Sequence, residues 1–528
     1  MNDQTDDVNR GSKIDWMTFV ISGGCLILFL ILSLVNKPLI DEWITQSFDW
    51  SAKFFGAFWQ LLLLGNFVIG LILAFMKYGK VRLGKKEKPE NSNFRWVAMI
   101  LCTLLASGGV FWAAGEPMFH FLTTPPLFAN DGLTQSEAVS PALAQAFFHW
   151  GFTAWACLGT LASIVLMYVH YHKGYPLKPR SILYPIFGEK IFKRSVVGTT
   201  ADVVSIIAVA AGTIGPIGFL GLQVGYGLNY LFNIPETMVT YMGVIIFLIA
   251  IASISAATGI DRGIQWLSRM NVGLAIILMI AMLILGPTMF ILNSFVAGEG
   301  FQIQNFLMMS LYRGDEAWLG SWTIFFWGWF LGFGPMMMIF ISRISRGRTI
   351  RELIVAVSVI APLVSNFWFT AIGGSGISYE IQNPGSVSTA LNNAGMPAAV
   401  MAILNQVPFG FVLSIGFLIV TMVFVATTAD SMSYTVAAAI TGDDSPHRFI
   451  RVFWALLFGA IAAVLLSIGE SSITTLQNFI VVTAVPVSIL LLPPLWLAPK
   501  IAHKMAAEQG LLHSPEPEKG ITEATDPD

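Results

Sequence analysis

The segment Trp322-Thr323-Ile324-Phe325-Phe326-Trp327-Gly328-Trp329-Phe330-Leu331-Gly332-Phe333-Gly334-Pro335 decides how this chain is read. It has no charged side chain, and it sets an unusual concentration of aromatic rings on a backbone that Gly328, Gly332, Gly334 and Pro335 make breakable. The apolar run extends over residues 321–342, long enough as a helix to cross a hydrocarbon core about 30 Å thick. Outward from it, comparable runs recur at 16–36, 54–78, 96–115, 141–170, 201–228, 238–257, 266–292, 352–372, 409–438, 450–468 and 475–498. Composition agrees: 55% of the 528 residues are apolar and 11% charged, where soluble proteins average about 25% charged. Lipid is the solvent for this fold, and the expectation is an all-α membrane protein of about 12 transmembrane helices.

The distribution of positive charge tests that count, because a missed or invented span would scramble which loops are basic. With the N-terminus placed in the cytoplasm, the six outer loops hold only Lys37, Lys53 and Arg313 of the chain's 29 Lys and Arg. The two most basic stretches, Lys77 to Arg95 and Lys173 to Arg194, fall where cytoplasmic loops belong. An even span count with both termini cytoplasmic, in a bacterial inner membrane, follows. The domain reading is a tail at 1–15, one transporter domain at 16–498 and a second tail at 499–528. The N-terminal residues are polar ahead of a long span, unlike a cleaved signal peptide.

Several function classes are excluded. A net charge of −2 does not suit nucleic acid, which is bound through concentrated Lys and Arg. Cys25, Cys102 and Cys157 all lie inside spans and read as small apolar packing residues. No His-Glu-x-x-His pair, phosphate-binding loop or Gly-x-Ser-x-Gly elbow is present, so the chain does not read as an enzyme and transport must draw on an ion gradient rather than ATP.

Inside the membrane the informative positions are helix breakers. The third span carries Ser107, Gly108 and Gly109, and the eighth carries its glycines and Pro335. These positions correspond if residues 96–292 and 321–498 are two five-helix repeats, the second inverted relative to the first. Interrupted helices at matching places in inverted halves point to a midplane transport site. Close helix packing is the competing reading of the same glycines. Two outer connections, Glu116 to Ser140 and Gly373 to Pro408, are too long for turns and read equally as lids or as covers over helix ends. Ser140 followed by Pro141 looks like the start of the fourth helix.

An aromatic cage suits a permanently cationic ammonium, which offers no N–H donor but is attracted to ring faces at about 0.5 to 2 kcal/mol each. The eighth span supplies such rings and the fourth adds Trp150 and Trp155, while Trp322 fits an interfacial belt better. In the tenth span, Phe424-Val425-Ala426-Thr427-Thr428-Ala429-Asp430-Ser431 is a polar cluster on an apolar helix. Its hydroxyl and carbonyl oxygens suit a small hard cation such as Na⁺, or they bond their own helix. Glu116, His120 and Asp202, near span ends, read as structural, and Arg269 as snorkelling to the interface.

These residues resemble the betaine/carnitine/choline transporter family over residues 15 to 500. The most specific likeness is Trp327-Gly328-Trp329 followed by Ile341-Ser342-Arg343-Ile344-Ser345-Arg346-Gly347-Arg348-Thr349-Ile350-Arg351-Glu352. Gly115-Glu116-Pro117, His149-Trp150 with Trp155, Gly263 to Ser268 and Thr427 to Asp430 occur in the family's order. The resemblance implies a leucine-transporter-like inverted repeat in spans 3 to 12, alternating access, a homotrimer in the lipid bilayer, and import of a quaternary-ammonium compound or similar zwitterion. It implies that Phe325, Trp327, Trp329, Phe330 and Phe333 line the substrate site with Trp150 and Trp155 facing them. Na⁺ would be the coupling ion, held by Thr427 and Thr428 with Phe424 and with the third span near Cys102 and Leu105. Phe330 and Phe333 stand where further tryptophans are usual in betaine carriers, and Leu158 replaces a usual tyrosine. The short tail beyond Lys500 lacks the long charged extension of osmosensing members. The alternatives are a carrier of amino acids or other solutes with the same architecture, proton-coupled or exchange transport, and a membrane-embedded enzyme or receptor.

Overall fold

The computed structural model describes residues 14–512 apart from 105–107, 130–132, 194, 259–260, 443–445 and 469–471. Among the described residues every extended element is a helix, and the only strand-like pairing is an isolated bridge between Arg82 and Thr349. In chain order the helices that matter here are α1 (Trp16–Val35), α2 (Lys37–Phe75), α3 (Asn93–Leu104), α4 (Val110–Leu122), α5 (Gln135–His172), α6 (Val196–Phe232), α7 (Met238–Thr258), α8 (Asp261–Leu285), α9 (Thr288–Leu311), α10 (Glu316–Ile344), α11 (Ile350–Gln382), α12 (Ser388–Ala394), α13 (Met396–Asn405), α14 (Gly410–Thr441), α15 (Arg448–Leu465), α16 (Ser472–Leu490) and α17 (Pro494–Glu508). Ten are long and apolar enough to cross a membrane, and α8 with α9 forms a further pair bent by 107°. The third expected span is described in two parts on either side of 105–107: α3, of 12 residues, and α4, of 13.

The burial pattern matches a lipid solvent. Trp16, Val20, Leu28 and Val35 on α1, and Val239, Ile246 and Ile254 on α7, are exposed apolar side chains. In contrast α5, α6 and α10 are buried over most of their length and form the centre of the bundle.

The basic connections gather at one end. Arg82 pairs with Thr349, Tyr78 meets His503 at 3.1 Å, and His172 lies 3.8 Å from Glu508. At the start of α1, Asp15 caps the helix by accepting from the Thr18 N–H and pairs with Arg180 at 3.1 Å, while Arg180 donates to Asp202 at 2.6 Å. Asp202 is therefore a structural partner, as expected. Burial alone would raise the Asp15 carboxyl, but the Thr18 N–H, Lys178 and Arg180 outweigh it and hold the group below the ordinary carboxylate range.

Four local expectations are corrected. First, α10 does not break at its glycines: from Phe325 to Ile344 it is one α-helix with Pro335 inside, entered through a widened turn at Gly320–Ile324. The glycines serve packing instead. A Cβ on Gly328 would meet Trp59 at 3.1 Å, and one on Gly334 would meet Leu491 at 2.7 Å. Second, the fourth span breaks where no break was expected. At Gly151 the backbone turns to φ −107°, ψ −138°, and Thr160 interrupts it again. Third, that span starts at Gln135, because Thr134 and Glu137 form a capping box; Ser140 and Pro141 lie inside the helix. Fourth, the seventh span ends at Leu285 rather than at 292, and the segment after it is helical. Pro287 cannot continue the backbone ladder, so the chain turns there and runs on as α9, whose Ile291, Ser294, Gly298 and Gln302 form its buried face.

The connection from Gly373 to Pro408 packs as a cover. α11 continues to Gln382, and Glu380 closes the following turn by accepting from the backbone N–H groups of Gly385, Val387 and Ser388 and from the Ser388 hydroxyl. α13 then lies on α4, with Met396 against Gly115.

Candidate functional site

Past the residues outside the description, Gly108 and Gly109 lead in helical geometry into α4. A Cβ at Gly108 would stand 2.2 Å from Cη2 of Trp329 and 2.9 Å from Cη2 of Trp150, so only glycine lets the two indoles converge there. Trp150 is the last residue before the α5 break at Gly151, and Trp329 projects from the uninterrupted α10. Their rings meet edge to face at 5.8 Å.

Around this pair the cluster is closed. Trp150 also contacts Phe326 at 5.4 Å, Phe330 at 5.5 Å and Phe369 of α11 at 5.2 Å. Trp329 lies parallel to Phe330 at 6.2 Å and touches Phe325 at 5.6 Å and Phe219 of α6 at 6.0 Å. Phe333, one turn along α10 from Trp329, abuts Gly212 of α6, the residue whose carbonyl accepts the Trp329 indole N–H at 3.2 Å. All of these rings are buried.

Trp327 and Trp155 do not join them. At about 100° per residue, position 327 points roughly 200° away from position 329 on a helix. The Trp327 ring accordingly packs on Phe148 at 5.1 Å and near His149 at 6.1 Å, and its indole N–H has no acceptor among the described residues. Trp155 donates to the Ser365 hydroxyl at 3.2 Å and has no ring contact among the described residues. The structure thus groups Trp150, Phe325, Trp329 and Phe330, sets Phe333 beside them, and separates Trp327 and Trp155. Phe219, Phe326 and Phe369 are members that sequence reasoning missed. Spacing alone could have found Phe326, which shares the α10 face of Trp329, Phe330 and Phe333.

Behind Trp150 lies a fully buried polar network. The Trp150 N–H donates to Glu116 Oε2 at 2.8 Å, and His149 Nδ1 meets Glu116 Oε1 at 2.6 Å. His149 Nε2 is 3.0 Å from both Gln145 Nε2 and Thr323 Oγ1. An amide nitrogen only donates, so Nε2 accepts and Nδ1 carries the proton that goes to Glu116. Glu116 and His149 therefore do not reach the interface, as residues near span ends usually do. For His149 the signal was its position inside an apolar span, where an ionisable residue is functional by default, whereas Glu116 falls just past the expected third span and gave no such signal.

On α14, Thr427 and Thr428 are buried. The Thr427 hydroxyl donates to the Val423 carbonyl at 2.8 Å and lies 3.3 Å from the Phe424 carbonyl, leaving its oxygen lone pairs available. Hydroxyl and carbonyl oxygens are the right chemistry for a hard cation. The matching positions on the third span fall outside the described residues: Leu105 entirely, and Cys102 in its side chain. Nearby, Asp430 is paired with Arg451 at 3.2 Å.

A profile described as the betaine/carnitine/choline family transporter, BCCT, matches residues 17–507. The chain belongs to this family. It is 52% identical over 494 residues to glycine betaine transporter 2 of Vibrio parahaemolyticus, covering 94% of this chain and 91% of that one. The glycine betaine transporter OpuD of Bacillus subtilis is 34% identical over 493 residues, covering 91% and 92%. The high-affinity choline transport protein of Escherichia coli is 31% identical over 488 residues, covering 90% and 70%. Among solved structures, a Na⁺-coupled sialic acid symporter aligns over 84% of this chain and 87% of its own at TM-score 0.40 and 13% identity, too distant a likeness to carry an argument. This BCCT protein is therefore a multi-pass membrane transporter and not an enzyme, and the aromatic cluster at Gly108 is its candidate substrate site.

Proposed function

We propose that this BCCT protein is a secondary carrier importing glycine betaine or a close quaternary-ammonium relative, coupled to Na⁺, by alternating access. The observation that carries the reading is the convergence of the Trp150 and Trp329 indoles on Gly108, with Phe330 packed against both rings. Ring faces supply what a methylated ammonium needs. The cluster is closed on itself, so substrate enters only when the rings part. That requirement suits a carrier that passes through an occluded state.

Glycine betaine stands first because the relative at 52% identity is described as its transporter. Choline, carnitine and sulfonium zwitterions follow, since Phe330 and Phe333 make the cage less electron-rich than one of tryptophans. Thr427 and Thr428 would hold Na⁺, with the Phe424 carbonyl and backbone of the third span. The ion supplies driving force: one positive charge entering per cycle is worth about 2.3 kcal/mol per 100 mV. An inverted five-helix repeat, a homotrimer, a bacterial inner-membrane location and cytoplasmic termini complete the reading. The gathering of both chain ends with the basic loops at one end of the bundle supports the last of these.

The test is uptake of labelled glycine betaine into proteoliposomes under an imposed gradient, with and without Na⁺, competed by choline, carnitine and a sulfonium analogue. Accumulation that depends on Na⁺ and is inhibited by at least one competitor is expected. Absence of inhibition by all of them would remove the substrate class, and undiminished uptake without Na⁺ would remove the coupling ion.

A further inference from the structure

His120 is fully buried on α4, yet neither of its ring nitrogens has a hydrogen-bond partner among the described residues. An imidazole must carry at least one N–H, and a buried donor without an acceptor is costly, so a group at this place needs a reason. One turn earlier on the same helix stands Glu116, and across from both, on α5, stands His149. One donor atom from each lies within 4.8 Å of the others, and all three residues are fully buried.

We propose that Glu116, His120 and His149 form a binding site for a divalent transition-metal ion of the zinc class. Two imidazoles and one carboxylate are the donors such an ion selects, whereas Na⁺, Mg²⁺ and Ca²⁺ select oxygen alone. Second-shell partners flank the site. His149 Nε2 lies 3.0 Å from Thr323 Oγ1, which accepts its N–H once Nδ1 ligates, with the Gln145 amide turning to present its oxygen, and Glu116 Oε2 is held by the Trp150 N–H, which leaves Oε1 facing the site.

The two separations at Glu116 Oε1 are close to what coordination requires, and the third, between the two imidazoles, is within 4.8 Å. Ligand bonds of about 2.0 to 2.2 Å in a tetrahedral shell place donor atoms roughly 3.3 to 3.5 Å apart. His120 Nε2 and Glu116 Oε1 are 3.6 Å apart. His149 Nδ1 and Glu116 Oε1, now hydrogen-bonded at 2.6 Å, must open by less than about 1 Å as the ring changes tautomer, its proton leaving Nδ1 and one standing on Nε2, so that the imidazole stays neutral as it ligates. The fourth position falls to water. The rings of Trp322 and Trp318, at 4.6 and 5.8 Å from His120, form the apolar wall of the site.

This site is distinct from the Thr427–Thr428 cluster and does not depend on the transport reading. The test uses the full-length carrier purified in detergent, stripped with chelator and equilibrated overnight with Co²⁺, followed by visible d–d absorption and by competition with Zn²⁺. Expected is one equivalent of Co²⁺ with a tetrahedral or five-coordinate spectrum, displaced by Zn²⁺. His120→Leu should abolish the signal. Thr323→Ala, which leaves all three ligands intact, should weaken affinity about 10-fold by loosening His149. Wild-type protein without a Co²⁺ spectrum, or His120→Leu that binds as wild type does, overturns the proposal. Metal analysis of protein from zinc-supplemented cells gives an independent reading, with one equivalent expected and none refuting. A His120→Leu variant that fails to fold leaves the wild-type and Thr323→Ala titrations to decide.

Discussion

Replacing Gly108 by alanine is the sharpest test of the aromatic site. The added Cβ would stand 2.2 Å from Cη2 of Trp329 and 2.9 Å from Cη2 of Trp150, where ordinary contact begins at 3.4 Å. The Trp329 edge would therefore have to retreat by about 1 Å, and the Trp150 edge by about half as much. Neither ring is free to do so, because Trp329 is tied to the Gly212 carbonyl and Trp150 to Glu116. Overpacking of a filled core costs about 1 to 3 kcal/mol. If the two indoles keep their edges on Gly108 when the cluster parts around substrate, the strain falls on the substrate-holding state and Gly108→Ala raises the apparent KM for uptake by roughly 5- to 150-fold at 1.4 kcal/mol per decade. The clashing atom of Trp329 is one that phenylalanine lacks, so Gly108→Ala with Trp329→Phe should be less impaired than the two single losses predict. Uptake in proteoliposomes, with monodispersity in detergent as the control for folding, provides the assay. A Gly108→Ala carrier with wild-type KM, or strictly additive losses in the double variant, would refute the convergence of the two indoles on this glycine.

Trp329→Ala should weaken substrate affinity by about 2- to 30-fold, from the loss of about 0.5 to 2 kcal/mol of ring–cation attraction, while Trp327→Ala should leave KM closer to wild type. Equal KM effects would return Trp327 to the cage. Thr427→Ala with Thr428→Ala should abolish Na⁺ stimulation of uptake, and retained stimulation would relocate the ion. Asp15 titrates below the ordinary carboxylate range in the folded protein, so its contribution to stability is present at neutral pH and fades as pH falls through that lowered value. Thermal unfolding in detergent should accordingly show Asp15→Asn destabilised at pH 7, with the difference narrowing in acid; a difference that stays constant with pH would deny the charge a role.

Much of the membrane architecture is legible in the linear chain because hydropathy and charge act locally. A run of apolar residues must be buried in lipid wherever its neighbours go, and each basic loop reports its side independently of the others. The richest aromatic span and the hydroxyl cluster at Thr427 and Thr428 were visible for the same reason. The orientation of Trp327 away from Trp329 was also within reach, since it follows from two residues of helical rotation. Tertiary structure alone decided the rest. Whether Gly328 to Pro335 break a helix depends on the neighbours pressed against them, and Trp59 and Leu491 turn those glycines into contacts while the break falls at Gly151. Glu116 and His149 are 33 residues apart in sequence, and only the packing of α4 on α5 brings carboxylate, imidazoles and the Trp150 indole to one buried point. Contacts between distant segments depend on how whole helices lie against one another, which no local pattern of residues specifies.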